Sequence, residues 1–138
     1  MKSPTPAQLK KLKAAAKTAA GRAYAPYSKF HVGAAILTSS GKIHSGCNVE
    51  NASYGLAICA ERVAIFAAIA AGAKRIEAIA VACVDAAPDA APGSLMPCGA
   101  CRQVMAEFGA ADLPVHVDRA GTFTLAQLLP QAFALPRF

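Results

Sequence analysis

Two predicted helices of this sequence each begin at a cysteine, and this restricts the fold more than any other feature of the chain. Cys98 and Cys101 form a Cys-x-x-Cys motif at the start of a helix predicted to end near Phe108, and Cys59 stands at the start of a second predicted helix, 58–71. Residues three apart share a helix face, and the free backbone amides of a helix N-terminus favour thiolate over thiol. No fourth cysteine is spaced to complete the set, so three thiolates at two helix starts predict a zinc site with one open, catalytic position.

Glu61 follows Cys59 by two residues on a helix that is otherwise almost entirely apolar. Burying a carboxylate is costly unless a charged group lies nearby. Residues two apart in the middle of a helix point to different sides, so the two side chains converge only if Cys59 lies at the very end of the helix. We therefore expect Glu61 beside the water on the zinc ion, as a general acid and base and not as a ligand.

The formal charge of the predicted centre indicates a role for two arginines. A zinc ion with three thiolates carries a net charge of about −1, which opposes ionisation of a bound water more than three histidines would. Arg62 and Arg102 each directly follow a residue of the site. We expect both guanidinium groups to donate hydrogen bonds to sulfur and so to draw charge from the thiolates.

The remaining pattern alternates helical and extended segments. Thr5 and Pro6 begin an amphipathic helix that ends at Gly21, and the 58–71 segment is apolar all round, which predicts a helix buried on every side. Loop 85–96, rich in Ala, Pro and Gly, is a candidate mobile flap. Extended segments are predicted at 31–38, 42–49, 76–84, 114–118 and 122–124, with a last helical turn at 125–129. This order predicts the α/β class: a three-layer α-β-α sandwich around a mixed five-stranded sheet.

Composition and charge exclude several classes of protein. With 138 residues, 55% hydrophobic and 16% charged, the chain is long enough for one domain, 1–138, and too apolar to be disordered. Residues 1–29 hold seven basic side chains and no acidic one, so the net charge of +6 belongs to one segment and is a weak indication of nucleic-acid binding. A secretory signal pattern is missing, and we expect a cytoplasmic protein without membrane contact.

The motifs together resemble a known family. Cys59-Ala60-Glu61 followed by Pro97-Cys98-Gly99-Ala100-Cys101-Arg102-Gln103 resembles the zinc deaminase signature, in the variant with cysteine where other members have histidine. Three further motifs are similar to those of the small homotetrameric cytidine deaminases: Phe30-His31-Val32-Gly33-Ala34-Ala35, Gly46-Cys47-Asn48-Val49-Glu50-Asn51-Ala52-Ser53-Tyr54 and Leu128-Leu129-Pro130. The resemblance extends over roughly residues 8 to 134.

The resemblance implies a function and a set of roles. It implies a hydrolase that deaminates free cytidine and deoxycytidine in pyrimidine salvage, with one Zn²⁺ per chain, attack of the activated water on C4 and Glu61 as proton shuttle. The active sites would be shared between the subunits of a homotetramer, in which Phe133 packs against the base from a neighbouring subunit. The implied substrate contacts are Asn48 and Glu50 with the ribose, Asn51 and Tyr54 in the same loop, the Ala60 backbone N–H with the pyrimidine 2-carbonyl, and Phe30 in the base pocket.

Two other functions remain open at this point. A deaminase of a modified nucleoside such as blasticidin S would use the same machinery, although the sequence Asn48-Val49-Glu50-Asn51 favours an ordinary ribose. A polynucleotide editor or nucleic-acid-binding module would rely on the basic segment 1–29. Outside the predicted site, Cys47 and Cys83 are expected to be small core residues, and His31, His44 and His116 to be structural or surface residues.

Overall fold

The structure, a computed structural model, describes residues 3–137, so Met1, Phe138 and the Lys2 of the basic segment lie outside it. Four α-helices, five β-strands and two short 3-10 helices, Tyr54–Leu56 and Pro92–Leu95, make up its regular structure. In chain order the α-helices and strands are α1 (Pro6–Ala20), β1 (Val32–Thr38), β2 (Ile43–Cys47), α2 (Ala60–Ala70), β3 (Ile76–Cys83), α3 (Gly99–Phe108), β4 (Pro114–Val117), β5 (Gly121–Thr124) and α4 (Leu125–Leu128). None of these helices combines the length and the apolar character that crossing a lipid bilayer requires.

The five strands form one mixed sheet in the order β2-β1-β3-β4-β5. The pairs β1–β2, β1–β3 and β4–β5 are antiparallel, and β3–β4 is parallel. The parallel pair places the carboxyl ends of β3 and β4 at the same edge, and loop 84–98 runs from this edge to the start of α3. The predicted α/β class with a mixed five-stranded sheet is confirmed.

Alternation of side chains along the central strands builds two separate apolar layers. Ala34 and Ile36 of β1 pack with α2 and α3, whereas Ala35 and Leu37 pack on the other face with Leu12 of α1. Since successive residues of a strand point to opposite faces, one strand supplies both layers. The helices therefore lie on both sides of the sheet, with α1 alone on one side and α2 and α3 together on the other.

Glycines allow both helical layers to approach the sheet closely. A Cβ atom on Gly33 of β1 would lie 1.8 Å from the carbonyl oxygen of Ala16 in α1. A Cβ atom on Gly46 of β2 would lie 2.5 Å from the backbone nitrogen of Ala64 in α2. Neither distance is possible for real atoms, so these positions fix how near each helix comes to the strands.

The structure corrects one expectation, for helix α2, and adds detail to loop 85–96, whose predicted mobility stays a prediction. Helix α2 is not buried on every side of this chain: Phe66 is 44% exposed, and Ala67 and Ala70 beside it are exposed. Loop 85–96 contains a short 3-10 helix, Pro92–Leu95, and is held by hydrogen bonds from neighbouring segments. Helix α2 therefore presents an exposed apolar strip around Phe66 on the side that faces away from the sheet.

The helix starts fall into two kinds. Thr5 of α1 and Thr124 of α4 each form a complete capping box with a glutamine three residues later. The N-cap residues of α2 and α3 are Cys59 and Cys98, and neither side chain makes a capping hydrogen bond. The two helices without a side-chain cap are those whose starts carry the predicted zinc ligands.

Candidate metal centre and cavity

The starts of α2 and α3 bring three thiols into one cluster. The sulfur atoms of Cys59, Cys98 and Cys101 all lie within 4.8 Å of one another. The Sγ–Sγ distances are 3.8 Å from Cys59 to Cys98 and 3.5 Å from Cys98 to Cys101. Cys59 and Cys98 are N-cap residues, and Cys101 is buried in the first turn of α3. The cluster therefore joins the two helices of one layer at their N-termini.

The spacing of the sulfurs fits a zinc ion. Zinc–sulfur bonds of about 2.3 Å at tetrahedral angles separate neighbouring sulfurs by about 3.8 Å. The distances in the cluster lie close to this value. Three soft donors and no fourth sulfur within the described cluster suit a site that leaves one position for a water or substrate.

Arg62 supports the charge of the cluster directly. Its Nη2 atom donates a hydrogen bond to Cys59 Sγ over 3.3 Å. A hydrogen bond from the Cys101 thiol, together with the bond and charge of Arg62, lowers the pKa of Cys59 to about 5. Hydrogen bonds that stabilise thiolate are what a metal ligand needs, because only the deprotonated sulfur binds zinc.

Arg102 does not play the part expected of it. Its Nε donates to the carbonyl oxygen of Pro97 over 2.8 Å, and its Nη1 donates to that of Leu128 over 2.7 Å. Within residues 3–137 no hydrogen bond joins Arg102 to a sulfur, and the expected bond is corrected. The side chain instead ties the segment before α3 to the end of α4, because Leu128 offers a carbonyl group near the helix C-terminus.

Glu61 is a buried carboxyl group at the edge of the cluster. It lies in the first turn of α2, is 4% exposed, and follows Cys59, which is at the very end of the helix as the two-residue spacing requires. Burial, with a contribution from the Cys59 charge, raises the pKa of Glu61 to about 7. A carboxyl group with a pKa near neutrality can both accept and release a proton at working pH.

A cavity of about 420 Å³ opens beside the cluster, and we call it the cysteine cavity. Its walls combine apolar side chains with a few polar groups, as is usual for small-molecule sites. It brings together most of the residues that the sequence singled out, and Val81, Cys83 and Met96 are among its further apolar residues. The predicted residues among its lining are Phe30, Asn48, Glu50, Tyr54, Cys59, Ala60, Glu61, Arg62 and Cys98.

Asn48 and Glu50 are held by the segment that precedes β1. Asn48 Nδ2 donates to the Phe30 carbonyl oxygen and its Oδ1 accepts from the Val32 N–H, both over 2.8 Å. Glu50 accepts hydrogen bonds from the backbone N–H groups of Tyr27 and Ser28 and from the Ser28 hydroxyl group. The Ser28 hydroxyl bond is the main cause of the lowered pKa of Glu50, so this carboxylate is ionised at neutral pH.

Asn51 and Phe133 do not line the cysteine cavity, whereas Tyr54 lines both this cavity and a neighbouring one. Asn51 lines a neighbouring cavity of about 290 Å³, which shares Glu50, Tyr54 and Ala57 with the cysteine cavity. The Tyr54 ring is 82% exposed. Phe133 is 69% exposed and lies along α3, where Gln103 Nε2 donates to its carbonyl oxygen over 3.0 Å. Phe133 does not line the cysteine cavity of its own chain.

Three residues at the site or next to it carry no local signal in the sequence. Ser28 donates a hydrogen bond to Glu50, 22 residues away in the sequence. Asp85 lies 54 residues from His31 and accepts a hydrogen bond from its backbone N–H over 2.7 Å. The same carboxylate oxygen lies 2.5 Å from the His31 ring nitrogen Nδ1. Cys83, expected to be a core residue, is only partly buried and lines the cavity. These contacts depend on how the loops meet, which no spacing in the sequence reveals.

Comparison with known proteins gives one consistent result. Residues 6–117 match the family model of the cytidine and deoxycytidylate deaminase zinc-binding region. The chain is 44% identical over 130 residues to a cytidine deaminase of Sporosarcina psychrophila, and the match covers 91% of each chain. It is 47% identical over 129 residues to a cytidine deaminase of Mycobacterium tuberculosis, and this match covers 90% of the chain and 88% of the relative.

Solved structures agree with these relatives. The crystal structure of a cytidine deaminase from Mycobacterium tuberculosis superposes with a TM-score of 0.79 at 42% identity, covering 92% of this chain and 98% of that chain. One from Burkholderia pseudomallei gives a TM-score of 0.77 at 49% identity, covering 90% of this chain and 98% of that chain. Fold, sequence and cysteine cluster therefore point to the same family.

Proposed function

The chain belongs to the cytidine and deoxycytidylate deaminase family, and we propose that it hydrolyses free cytidine and deoxycytidine to uridine, deoxyuridine and ammonia. The observation that carries this proposal is the buried carboxyl group of Glu61 beside three clustered thiols, at the wall of a cavity that Asn48 and Glu50 also line. The named relatives act as cytidine deaminases, and the same reaction suits this set of groups.

Cys59, Cys98 and Cys101 are the proposed ligands of one zinc ion per chain. When bound, zinc supplies a water of lowered pKa as the nucleophile at neutral pH. Arg62 holds the Cys59 sulfur in its thiolate form through the 3.3 Å hydrogen bond. Since draining charge from the thiolates strengthens the positive character of the centre, Arg62 is a positioning residue for the reaction.

Glu61 is the proposed proton carrier. Its raised pKa lets it take the proton of the attacking water, deliver it to N3 of the pyrimidine and then help the C4 amino group leave as ammonia. The atoms balance as water plus cytidine giving uridine plus ammonia. The backbone N–H of Ala60, a residue that lines the cavity, is proposed to donate to the pyrimidine 2-carbonyl oxygen.

The polar end of the cavity suits a ribose. Glu50 offers carboxylate oxygens and Asn48 a remaining amide proton to the sugar hydroxyl groups, and Phe30, which also lines the cavity, is proposed to line the base pocket. Asn51 and Tyr54 extend this wall outward. Because Asn48 and Glu50 also bind the backbone around Phe30, ribose recognition and the shape of the base pocket are linked.

We further propose that four copies of the chain assemble and complete one another's sites. Phe133 is exposed and remote from the cavity of its own chain, which suits an aromatic ring that packs on the base in a neighbouring subunit. The exposed apolar face of α2 around Phe66 and the exposed Tyr54 and Leu56 are suitable contact surfaces. A role in pyrimidine salvage in the cytoplasm follows from this reaction and remains part of the proposal.

The test combines a substrate panel with a matched pair of variants. Purified zinc-loaded protein is assayed by ultraviolet absorbance with cytidine, deoxycytidine and blasticidin S. Glu61→Gln should retain about one zinc per chain and lose about 10²–10⁴-fold or more in kcat, since general acid–base catalysis contributes at least this much. Glu77→Gln, on the strand β3 outside the cavity lining, should keep full activity.

Each outcome of the panel decides between functions. Turnover of cytidine and deoxycytidine with one bound zinc supports the proposal. Turnover of blasticidin S alone would replace it by deamination of a modified nucleoside. Inactivity of a zinc-loaded protein on all three, joined with tight, steeply salt-dependent binding of single-stranded RNA, would replace it by nucleic-acid binding. An active Glu61→Gln protein would refute the assignment of the proton carrier.

A further inference from the structure

The segment that precedes β1 meets the loop that follows β2 at one carboxylate. Glu50 Oε1 accepts hydrogen bonds from the backbone N–H groups of Tyr27 and Ser28, both over 3.1 Å. The other oxygen, Oε2, accepts a hydrogen bond from the Ser28 hydroxyl group. The backbone N–H of Glu50 in turn donates to the Tyr24 carbonyl oxygen over 2.8 Å. Glu50 thus joins the two segments, and it also lines the cysteine cavity.

The Ser28 hydroxyl group has a second partner. Its oxygen accepts a hydrogen bond from the Phe30 N–H over 3.0 Å, while its proton is donated to Glu50. Lys29, between Ser28 and Phe30, has a φ of 59°, in the left-handed region that residues with a side chain seldom adopt. The backbone therefore turns sharply at Lys29 and brings the Phe30 N–H to the hydroxyl oxygen. One hydroxyl group connects two residues that line the cysteine cavity, Phe30 and Glu50.

The hydrogen bonds to Glu50 leave this carboxylate one free acceptor position. An ionised carboxylate offers about four lone-pair positions. Two hydrogen bonds end on Oε1 and one on Oε2, three in total, so one position (four minus three) remains, on Oε2. The bond from Ser28 is also the main cause of the lowered pKa of Glu50. The free acceptor position thus lies on the oxygen that the Ser28 hydroxyl group holds.

Ser28 can influence a ligand in the cysteine cavity only through its neighbours. It is not among the residues that line this cavity, and its side chain is exposed in the chain. A glutamate side chain loses rotamer freedom when it is fixed in one orientation. Holding it in that orientation before the ligand arrives removes this cost from binding. The hydrogen bond from Ser28 supplies such preorganisation for Glu50.

We propose that Ser28 is a positioning residue for sugar recognition, because its hydroxyl group orients the Glu50 carboxylate towards one hydroxyl group of the nucleoside sugar. This inference rests on the proposed function, in which Glu50 accepts a hydrogen bond from the sugar. The same serine hydroxyl group holds the Phe30 backbone, so the sugar and base ends of the cavity share one support. Loss of this hydroxyl group should therefore weaken the distinction between a nucleoside with the recognised sugar hydroxyl group and one without it.

The test compares substrates that lose their sugar hydroxyl groups one at a time: cytidine, 2′-deoxycytidine and 2′,3′-dideoxycytidine. Ser28→Ala should lower kcat/KM about tenfold, mainly through KM, for each nucleoside that carries the recognised hydroxyl group. For dideoxycytidine the change should be less than about twofold, because Glu50 then has no sugar hydroxyl partner whose hydrogen bond could be lost. A general structural defect would instead lower all three values together.

Two further variants control this comparison. Ser28→Thr keeps the hydroxyl group and should restore the kinetic values of the parent protein. Ser39→Ala removes a hydroxyl group from the exposed turn between β1 and β2, outside both cavities, and should leave all values unchanged. Because Ser28 is exposed, its truncation leaves no internal cavity, and circular dichroism should show that Ser28→Ala is folded.

A second measurement follows the carboxylate itself. The pKa of Glu50, read from its side-chain carboxyl ¹³C resonance in the free protein, should rise towards its ordinary value in Ser28→Ala and stay low in Ser28→Thr. An unchanged pKa in Ser28→Ala would overturn the proposal, as would equal losses of kcat/KM on all three nucleosides.

If the parent protein turns over none of the nucleosides, the proposed deamination fails, and Ser28 is then judged by binding. In that case Ser28→Ala should weaken the binding of uridine more than that of 2′,3′-dideoxyuridine. Equal effects on the two ligands would refute the role of Ser28. The failure of the reaction and the failure of the positioning role are therefore separate results.

Discussion

Gly46 and Gly33 each lie where a helix packs closely against the sheet. Replacing each of them by alanine adds one carbon atom, and comparing the two variants should separate effects on stability from effects on catalysis. In Gly46→Ala the new Cβ would lie 2.5 Å from Ala64 N and 3.0 Å from Ala60 O, whereas ordinary contact begins at about 3.4 Å. Helix α2 must therefore move outward by about 1 Å. Its start carries Cys59 and Glu61, so the displacement reaches the proposed zinc ligand and the proposed proton carrier together.

The size of the effect follows from the geometry. Overpacking a core contact costs about 1–3 kcal/mol, which for a chain of this length lowers Tm by about 4–12 °C. A misplacement of about 1 Å of catalytic groups can cost about 10²-fold in rate. We therefore expect Gly46→Ala to fold, to melt at a lower temperature, and to lose about 10²-fold in kcat per zinc-loaded molecule.

Gly33→Ala is the matched control on the other face. Its Cβ would lie 1.8 Å from Ala16 O and 2.5 Å from Ala20 N, so the steric conflict is larger and displaces α1, which carries no residue of the cysteine cavity. Calorimetry, bound zinc and kcat are measured on both variants. Gly33→Ala should lose at least as much stability as Gly46→Ala and keep its kcat. Equal kcat values for the two variants would refute the reasoning.

Three further predictions concern the surroundings of the site. Arg62→Gln should weaken zinc binding about 10–100-fold, measured by competition with a chromogenic chelator, whereas Arg102→Gln should lower Tm without this loss, because its partners are carbonyl groups. Removing zinc with a chelator should lower Tm, and adding zinc back should restore it, since a ligand of the folded state stabilises that state. Asp85→Asn should destabilise the chain at pH 7: the hydrogen bond from the His31 ring lowers the pKa of Asp85, so its stabilisation is present above the unfolded pKa of about 3.9 and is lost as the pH falls through the lower pKa of the folded state. Urea titrations at pH 7 and pH 3 should show the two proteins converging in acid.

Local signals carried most of the fold prediction. Thr5-Pro6 announces the start of α1, and the polar turn after Thr38 marks the hairpin of β1 and β2. Cys59 and Glu61 were informative as a pair, because a carboxylate on an apolar helix indicates a charged or polar partner within about one helical turn. Helix caps, turns and short motifs depend on residues that are close together in the sequence, so they can be recognised without knowing the fold.

What the sequence did not predict depends on contacts between distant segments. Arg102 turns to Leu128 because α4 ends nearby, and nothing around position 102 reveals this. The exposure of Phe66 could not be read from an apolar pattern, since a face covered by the same chain and a face left for another chain have the same composition. The bond between Ser28 and Glu50 joins two loops whose meeting is decided by the sheet.

At the uncapped starts of α2 and α3, helix stability and metal binding favour different residues. A serine or aspartate at position 59 or 98 would close the helix start with a side-chain hydrogen bond worth about 1 kcal/mol, which neither Cys59 nor Cys98 provides. Measured without metal, Cys59→Ser should therefore be the more stable protein, and with zinc present the order should reverse. Thermal stability should then report metal occupancy, and screening metal-free protein for higher melting temperature would select against the proposed zinc site.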